Sequence, residues 1–288
     1  MLAAKHIVRK TGALHFHTYH TMYEDYLSYV PGGKFIRPKA AGKMIKMVLN
    51  AVDSIIAPTD KVMDSLRNYG IKKEINIIPT GIDLSRFKVN LSDEEKNEIL
   101  HRSGISKDDK VFIYVGRIAK EKNIQEIISY FNNMRVQNVK LLIVGGGPYL
   151  EELKKIVSEY HIEENVKFTG MVPQKDVAKY YKLGQVFVTA STSETQGLTY
   201  VEALASGIPI VCRYDKCIED VVVKGVTGYT YNNEKEFVEY VNKIINNDAD
   251  RKQMAINALS KAEEYSRECF GEKVFNLYRS YRNELQYV

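Results

Sequence analysis

The chain has 288 residues, of which 44% are hydrophobic and 27% charged. This composition excludes a disordered or fibrous protein and gives room for one and a half to two globular domains. No stretch is long and apolar enough for a membrane-spanning helix, and the run MLAAKHIVRKTGALHF is too charged for a secretory signal. The three cysteines have no metal-ligand spacing, and reduced thiols in a cytoplasmic protein are expected.

Positive charge is concentrated near the N-terminus. Residues 1–50 contain eight Lys and Arg against two acidic residues, although the whole chain carries a net charge of only +5. A basic segment of this kind favours an anionic partner, either lipid head groups or nucleic acid. A solvated surface face is the alternative, and charge alone does not decide between them.

Short apolar runs alternate with helical patterns along most of the chain. The runs predict buried strands because they are brief, rich in β-branched residues and bounded by Gly, Pro or Asn. In chain order they are ALHFHT, DSIIAP, EINIIP, KVFIYVG, VKLLIVGG, NVKFTG, QVFVTA and IPIVC. Alternation of strands and helices predicts parallel sheets with right-handed crossovers, and hence a doubly wound α/β architecture.

A domain boundary is predicted between the third and fourth strands. Gly81 ends the first α/β stretch, and Ser92 with Glu95 forms a capping box for a helix that runs to about Arg102. The chain then divides into three segments: a partial N-terminal domain at 1–103, a complete Rossmann-like domain at 104–270, and a C-terminal helix at 271–288 that packs back on the N-terminal domain.

The segment VFVTASTSETQGLTYVEALASGIPIV, residues 186–211, combines features of a ligand site. A strand ends near Ala190, and Gly197 opens a helix whose free amides and dipole favour an anion. Glu194 lies in the loop and Glu202 inside the helix, so both carboxylates can point into one cleft. Such a pair indicates sugar-hydroxyl recognition or acid/base chemistry. On spacing alone, an exposed loop acid and a solvated helix acid remain the alternative.

The E-x7-E spacing followed by EALASGIPIV resembles the donor site of the large family of retaining GT-B glycosyltransferases. Four further segments match that family in order, as its interdomain connection, basic phosphate loop, Gly-rich turn and base-binding loop. They are INIIPTGIDLSRF (75–87), VGRIAKEKN (115–123), LLIVGGGPYLEEL (141–153) and VKFTGMVPQKDV (166–177). The resemblance covers nearly the whole chain and implies a GT-B fold, with two Rossmann-like domains of which the N-terminal one is incomplete.

The resemblance implies roles for individual residues. Arg117 and Lys122 would neutralise the donor diphosphate as it leaves, which agrees with the need of such a leaving group for cations. Glu202 would accept hydrogen bonds from the ribose, Glu194 would lie beside the transferred sugar, and His20 would face that sugar from a strand end. The other donor-binding positions implied are Gly116, Val172 and Gln174, with the backbone amides of Gln196, Gly197, Leu198 and Thr199.

Several patterns that could hold a metal or a second nucleotide are discounted. The turn at 145–147 lacks the Lys-Ser/Thr pair of a Walker motif and reads as a tight strand-to-helix turn. Asp248 and Asp250 start a helix, where Asp is an ordinary N-cap. His15 and His17 share a strand face but lack further zinc ligands. We therefore expect no metal and no cofactor besides the donor substrate, which the resemblance implies is a UDP-hexose.

Two segments indicate which kind of acceptor receives the sugar. HTYHTMYEDY (17–26) resembles the glucosyltransferases that add a hexose to diacylglycerol, which implies retaining transfer from UDP-glucose to a lipid and no nucleic-acid partner. In the predicted helix Pro38–Asn50, Lys39, Lys43 and Lys46 share one face, as suits a peripheral protein on the anionic inner membrane face. An ordinary domain helix with its lysines outward is the alternative.

The sequence departs from the family at its start. Family members begin with further strand-helix units on the order of a hundred residues long, a typical small-domain length, whereas this sequence starts at the strand before HTYHT. We expect that part to lie upstream or in a second chain. The alternatives are a remnant that binds nucleotide sugar but transfers nothing, and a transferase acting on a soluble sugar or polysaccharide.

Overall fold

The computed structural model describes residues 2–22, 38–134 and 138–286. By its internal contacts the chain divides into two units. Unit 1 comprises 1–81, 193–196 and 270–288, and unit 2 comprises 82–192 and 197–269. Part of the HTYHTMYEDY motif and of the basic N-terminal segment falls at 23–37, outside the described residues, as does the side chain of Lys39.

The described residues form nine strands and eleven α-helices. The strands are β1 Phe16–Thr18, β2 Ser54–Ala57, β3 Ile75–Ile77, β4 Lys110–Val115, β5 Val139–Val144, β6 Val166–Gly170, β7 Val186–Thr189, β8 Ile210–Arg213 and β9 Gly228–Tyr231. The helices are α1 Leu2–Thr11, α2 Pro38–Leu49, α3 Asp60–Asn68, α4 Asp93–Arg102, α5 Ile124–Met134, α6 Leu150–Glu159, α7 Val177–Tyr181, α8 Leu198–Ala205, α9 Glu234–Ile245, α10 Asp248–Ala262 and α11 Arg267–Gln286. No helix among them is apolar enough over sufficient length to cross a bilayer.

Unit 1 is built on a parallel three-stranded sheet in the order β1-β2-β3. Successive strand residues face opposite sides, so Ile55 and Ile56 of β2 enter different cores. Ile55 packs with Leu49 of α2 and with residues of α3, whereas Ile56 packs with Leu277 of α11. The aromatic ring of Phe16 lies 5.1 Å from that of Tyr281, so the C-terminal helix covers this second face.

Unit 2 contains a six-stranded parallel sheet in the order β6-β5-β4-β7-β8-β9. The chain starts in the middle, builds outward to β6, and then returns to add β7, β8 and β9 on the other side. This is the doubly wound order, whose reversal between β4 and β7 opens a crevice at the carboxyl ends of the strands. Adjacent β4 residues such as Phe112 and Ile113 face opposite sides of the sheet and are buried in separate cores.

All eight predicted strands are present, and the α/β fold class is confirmed. β9 was missed, because its first residue is Gly228 and glycine weakens a strand pattern. The structure supplies the reason for that glycine: a Cβ there would lie 2.0 Å from the carbonyl oxygen of Ile210 on the neighbouring strand. The capping box is confirmed, since Ser92 accepts from the Glu95 amide at 3.2 Å and the Glu95 carboxylate accepts from the Ser92 amide at 3.0 Å.

The sequence patterns placed the boundary between Thr80 and Lys110 and ended the first segment at residue 103. The contacts divide the chain after Gly81, inside that interval but before residue 103. The reason is packing: Leu84, Phe87 and Leu100 are buried in the core of unit 2. The return of 193–196 to unit 1 had no counterpart in the sequence patterns.

Candidate functional site

A cavity of about 560 Å³ lies in unit 2 at the carboxyl ends of β4, β5 and β6. Ligands of open parallel sheets bind at this edge, where the chain leaves each strand. The lining includes half of the residues that the sequence singled out, namely Gly116, Arg117, Val172, Gln174, Thr199 and Glu202. Together with the turn at 145–147, these residues bring four separate segments of the sequence to one cavity.

Glycines form one wall of the cavity. A Cβ at Gly145 would lie 1.9 Å from the Gly116 oxygen, and one at Gly147 would lie 2.2 Å from the Ile118 oxygen. Gly145 also has a φ of 137°, which favours glycine. The segment is therefore the tight turn that the sequence indicated, and it lets the loops after β4 and β5 touch through their backbones. Beside it, Met171 is 86% exposed at the cavity rim.

The basic loop follows β4. Arg117 lines the cavity, and its guanidinium forms an ion pair with Glu121 four residues later. The hydroxyl of Tyr114 donates to the Arg117 carbonyl at 3.1 Å, which holds the first turn of the loop. Lys122 ends a short 3₁₀ helix, Lys120–Lys122, and is not among the residues that line the cavity.

A polar network fixes the far end of this loop. Asn123, in the left-handed conformation at φ 50°, donates from its side chain to Glu126 at 2.8 Å. The Glu126 carboxylate also accepts from Arg213 at 2.7 Å and from the hydroxyl of Tyr231 at 3.0 Å. Burial, followed by the charge of Glu126, raises the pKa of Tyr231, so this hydroxyl remains a donor. Arg213 and Tyr231 lie 87 and 105 residues from Glu126, so no local pattern could have found these two partners.

Glu202 occupies the second turn of α8, and its partner was not anticipated. The hydroxyl of Tyr181 lies 3.0 Å from the Glu202 carboxylate and 3.2 Å from the Thr199 carbonyl. Burial raises the pKa of Glu202, opposed by this hydrogen bond. Burial and the Glu202 charge raise the pKa of Tyr181 well above its usual value, so the phenol stays protonated. Tyr181 lies in the run VAKYY, where a tyrosine is expected to be an ordinary buried core residue.

The helix that carries Glu202 begins at Gly197, the N-cap of α8. Its φ of 72° is in the left-handed region, and a Cβ there would lie 2.6 Å from the ring of Tyr200. Leu198 is partly exposed, and Thr199 lines the cavity. First-turn amides at a helix start can bind an anion, although in α8 the Tyr200 amide already donates to the Gly197 carbonyl at 3.0 Å.

The remaining predicted residues lie in unit 1, on the segment 193–196 and after β1. Gln196 is only 4% exposed, and its side-chain amide makes two hydrogen bonds to the backbone of Thr80. The hydroxyl of Thr195 donates to the His20 carbonyl at 3.0 Å, and the hydroxyl of Thr59 donates to the Thr195 carbonyl at 2.8 Å. Glu194 belongs to the same anchored segment.

His17 in β1 and His20 just after it are both partly buried. The Nδ1 of His20 lies 3.4 Å from the Thr80 hydroxyl, and burial lowers the pKa of His20. Burial and the neighbouring His15 lower the pKa of His17. Both imidazoles therefore stay neutral to lower pH than an ordinary histidine. Among the residues that the structure describes, no group of His, Cys, Asp and Glu could hold a metal ion.

The helix start that mimics a D-x-D pair needs one correction. Asn247, not Asp248, is the N-cap of α10, and its side chain accepts from the Asp250 amide at 3.1 Å. Asp248 is the first helical residue and pairs with Arg251 at 2.9 Å. Both aspartates thus have ordinary roles at a helix start.

Known proteins match the chain along its length. Residues 95–261 match the family described as glycosyl transferases group 1, and residues 1–86 match glycosyltransferase family 4. The alpha-monoglucosyldiacylglycerol synthase of Streptococcus pneumoniae is 36% identical over 91% of this chain and 60% of its own length. The protein of the same name from Acholeplasma laidlawii is 33% identical over 91% of this chain and 68% of its length.

Solved structures agree on the fold. HepE of Anabaena in complex with UDP aligns with a TM-score of 0.83 at 17% identity, covering 97% of this chain and 76% of HepE. Sucrose-phosphate synthase of Thermosynechococcus elongatus aligns with a TM-score of 0.78 at 22% identity, covering 93% of this chain and 68% of that one. The predicted GT-B fold class is confirmed. Because the first family match alone covers more than half of the sequence, the chain belongs to the glycosyl transferases group 1 family.

Proposed function

We propose that this protein transfers glucose from UDP-glucose to diacylglycerol, with retention of the anomeric configuration, at a membrane surface. The observation that carries the proposal is the similarity over 91% of the chain to two proteins named alpha-monoglucosyldiacylglycerol synthase. The chain spans 60% of the length of the first of these relatives.

The cavity of unit 2 suits a nucleoside diphosphate. Its lining includes the glycine-rich turn at 145–147, Arg117 with its guanidinium and Glu202 with its carboxylate. A carboxylate accepts hydrogen bonds from vicinal hydroxyls such as those of ribose, and amides with a cation bind phosphate. HepE, which has the same fold, was solved with UDP and with UDP-glucose.

Departure of the diphosphate creates negative charge that the site must stabilise. We assign this role to Arg117 and Lys122, together with the amides at the start of α8. In this proposal the residues of the chain stabilise the leaving group without a tightly bound metal ion. Glu194 and His20, both in unit 1, are assigned to the transferred sugar.

The proposed attachment to a membrane that holds the lipid acceptor is based on helix α2. Lys43, Lys46 and Met47 are exposed, the last by 71%, whereas Ile45 and Leu49 are buried in the core of unit 1. The helix therefore uses its apolar face for the fold, as any domain helix does, and its lysines remain for an anionic surface. Each such lysine near an anionic bilayer contributes about 1 kcal/mol, so membrane attachment should be reversible.

The activity test uses the full-length protein with radiolabelled UDP-glucose and vesicles that contain diacylglycerol. We expect a glucosyl lipid with the α configuration by proton NMR, formed equally well in EDTA. Loss of activity in EDTA with recovery in manganese would contradict the metal-free proposal. Transfer only to soluble sugars would favour the polysaccharide alternative, and UDP binding without any transfer would favour a binding remnant.

Vesicle sedimentation tests the membrane part. Binding should require anionic lipid, weaken with salt and fall when Lys43 and Lys46 are both changed to Gln. Lys154→Gln with Lys155→Gln is the matched control, because these exposed lysines of α6 carry the same charge on unit 2. Equal binding to neutral and anionic vesicles would remove the electrostatic basis of the proposal.

A further inference from the structure

The segment 193–196 occupies the carboxyl edge of the three-stranded sheet in unit 1. One residue shortly after each strand holds it: His20 after β1, Thr59 after β2 and Thr80 after β3. That edge of a parallel sheet is where ligands bind. Here a piece of the chain itself lies at that edge, and it carries Glu194.

Gln196 is committed to this contact. Its side-chain nitrogen donates to the Thr80 carbonyl at 2.9 Å, and its side-chain oxygen accepts from the Thr80 amide at 2.7 Å. A primary amide donates from its nitrogen and accepts at its oxygen, and a hydrocarbon of the same size would leave two backbone groups unpaired. Because the side chain is buried and both ends are bonded, it serves the protein rather than a ligand.

Two separate links join the segment to His20. The Thr195 hydroxyl donates to the His20 carbonyl, and Thr80, bound to Gln196, places its own hydroxyl 3.4 Å from His20 Nδ1. Backbone and ring of His20 are thus both tied to the segment that carries Glu194. Two links fix a relative orientation that a single hydrogen bond leaves free to rotate.

We infer that Gln196 and Thr195 are positioning residues, which hold the Glu194 segment and His20 in one fixed arrangement for transfer. The inference rests on the proposed function, because Glu194 and His20 are there assigned to the transferred sugar. The resemblance had placed only the backbone amide of Gln196 among the donor-binding positions, and the inference gives its side chain a separate role. Loss of the arrangement should slow the transfer step and leave UDP binding in unit 2 intact.

Gln196→Met is the main test, since methionine matches the side chain in length and has no amide. We expect kcat for glucosyl transfer to fall about 10- to 100-fold, the range typical of a displaced catalytic group. The donor KM and the UDP dissociation constant by calorimetry should change by less than about twofold, less than the loss of one ligand hydrogen bond would cause. Thr195→Val should lower kcat in the same way, and Thr195→Ser, which keeps the hydroxyl, should restore it.

Gln185→Met is the matched control. The Gln185 side chain also accepts from a backbone amide, that of Val111, but it lies at the start of β7 in unit 2. Its kcat should stay near wild type. Unchanged kcat in Gln196→Met, or a parallel loss of UDP affinity in that folded variant, would overturn the inference. If the wild-type protein transfers no glucose while UDP still binds, the proposed function fails first.

Discussion

The carboxyl edges of the two sheets differ in what lies beside them, a cavity in unit 2 and a segment of the chain itself in unit 1. In unit 2 the loops after β4, β5 and β6 border a cavity of about 560 Å³, whose wall includes glycines and Arg117. In unit 1 the residues after β1, β2 and β3 converge on the segment 193–196 and hydrogen-bond to it. An edge left open is available to a ligand, whereas an edge bound to the chain's own loop serves to orient that loop.

The difference lies in which groups the loops expose. Glycines after β4 and β5 let two backbones meet and place no side chain in the cavity that they line. Threonines after β2 and β3 instead offer hydroxyls and backbone groups that bind neighbouring protein atoms. We therefore expect substitutions at the open edge to change donor binding and leaving-group departure. Substitutions at the bound edge should change turnover or stability.

The largest effect is expected at Arg117. Arg117→Gln removes the cation on the cavity wall, and we expect kcat to fall about 10²- to 10³-fold, as for the loss of one charge-stabilising donor. Steady-state kinetics with UDP-glucose measures this. Arg251→Gln is the control, because that arginine also forms a local ion pair, with Asp248, but lies on α10. Similar losses in the two variants would mean that Arg117 has no special place in the reaction.

A smaller effect concerns Glu202 and pH. In the proposed site a ribose hydroxyl donates a hydrogen bond to the ionised carboxylate of Glu202. Burial raises the pKa of Glu202. UDP affinity should therefore decline as the pH falls, beginning at a higher pH than an ordinary glutamate would give. Glu202→Gln should weaken UDP binding by about 1.5–3 kcal/mol at neutral pH and abolish this pH dependence.

Tyr181→Phe sharpens that measurement. The Tyr181 hydrogen bond lowers the pKa of Glu202, so its removal should shift the decline of UDP affinity to higher pH. Calorimetric titrations from neutral to weakly acidic pH follow the shift. If UDP affinity depends on pH in the same way in wild type and in Tyr181→Phe, the Tyr181 hydroxyl does not influence the ionisation of Glu202.

The smallest effect is expected for the Thr59 hydroxyl, which binds the segment 193–196 after β2. Thr59→Val removes the hydroxyl that donates to the Thr195 carbonyl, and we expect the free energy of unfolding to fall by about 1 kcal/mol. Thr59→Ser should keep most of it. Urea denaturation measures both, with UDP affinity unchanged in each. A loss of UDP affinity in Thr59→Val would contradict the division of roles between the two edges.

The sequence alone determined the strands and the cavity residues that follow them. Hydrophobic runs predicted eight of the nine strands found in the described part of the chain, because burial on both faces of a parallel sheet requires continuous apolar residues. The positions of Gly116, Val172 and Thr199 followed from the family resemblance, and all three line one cavity. Motifs that follow a strand are local, so a linear pattern can reveal them.

Tertiary structure decided which partners these residues meet. Tyr181 looks like core in the sequence, and only the packing of α7 against α8 brings its hydroxyl to Glu202. Gln196 and Thr80 are 116 positions apart, and nothing local marks either as the other's partner. Hydrogen-bond pairing across such separations depends on how the sheets are ordered and where loops cross them, which periodicity and composition do not encode.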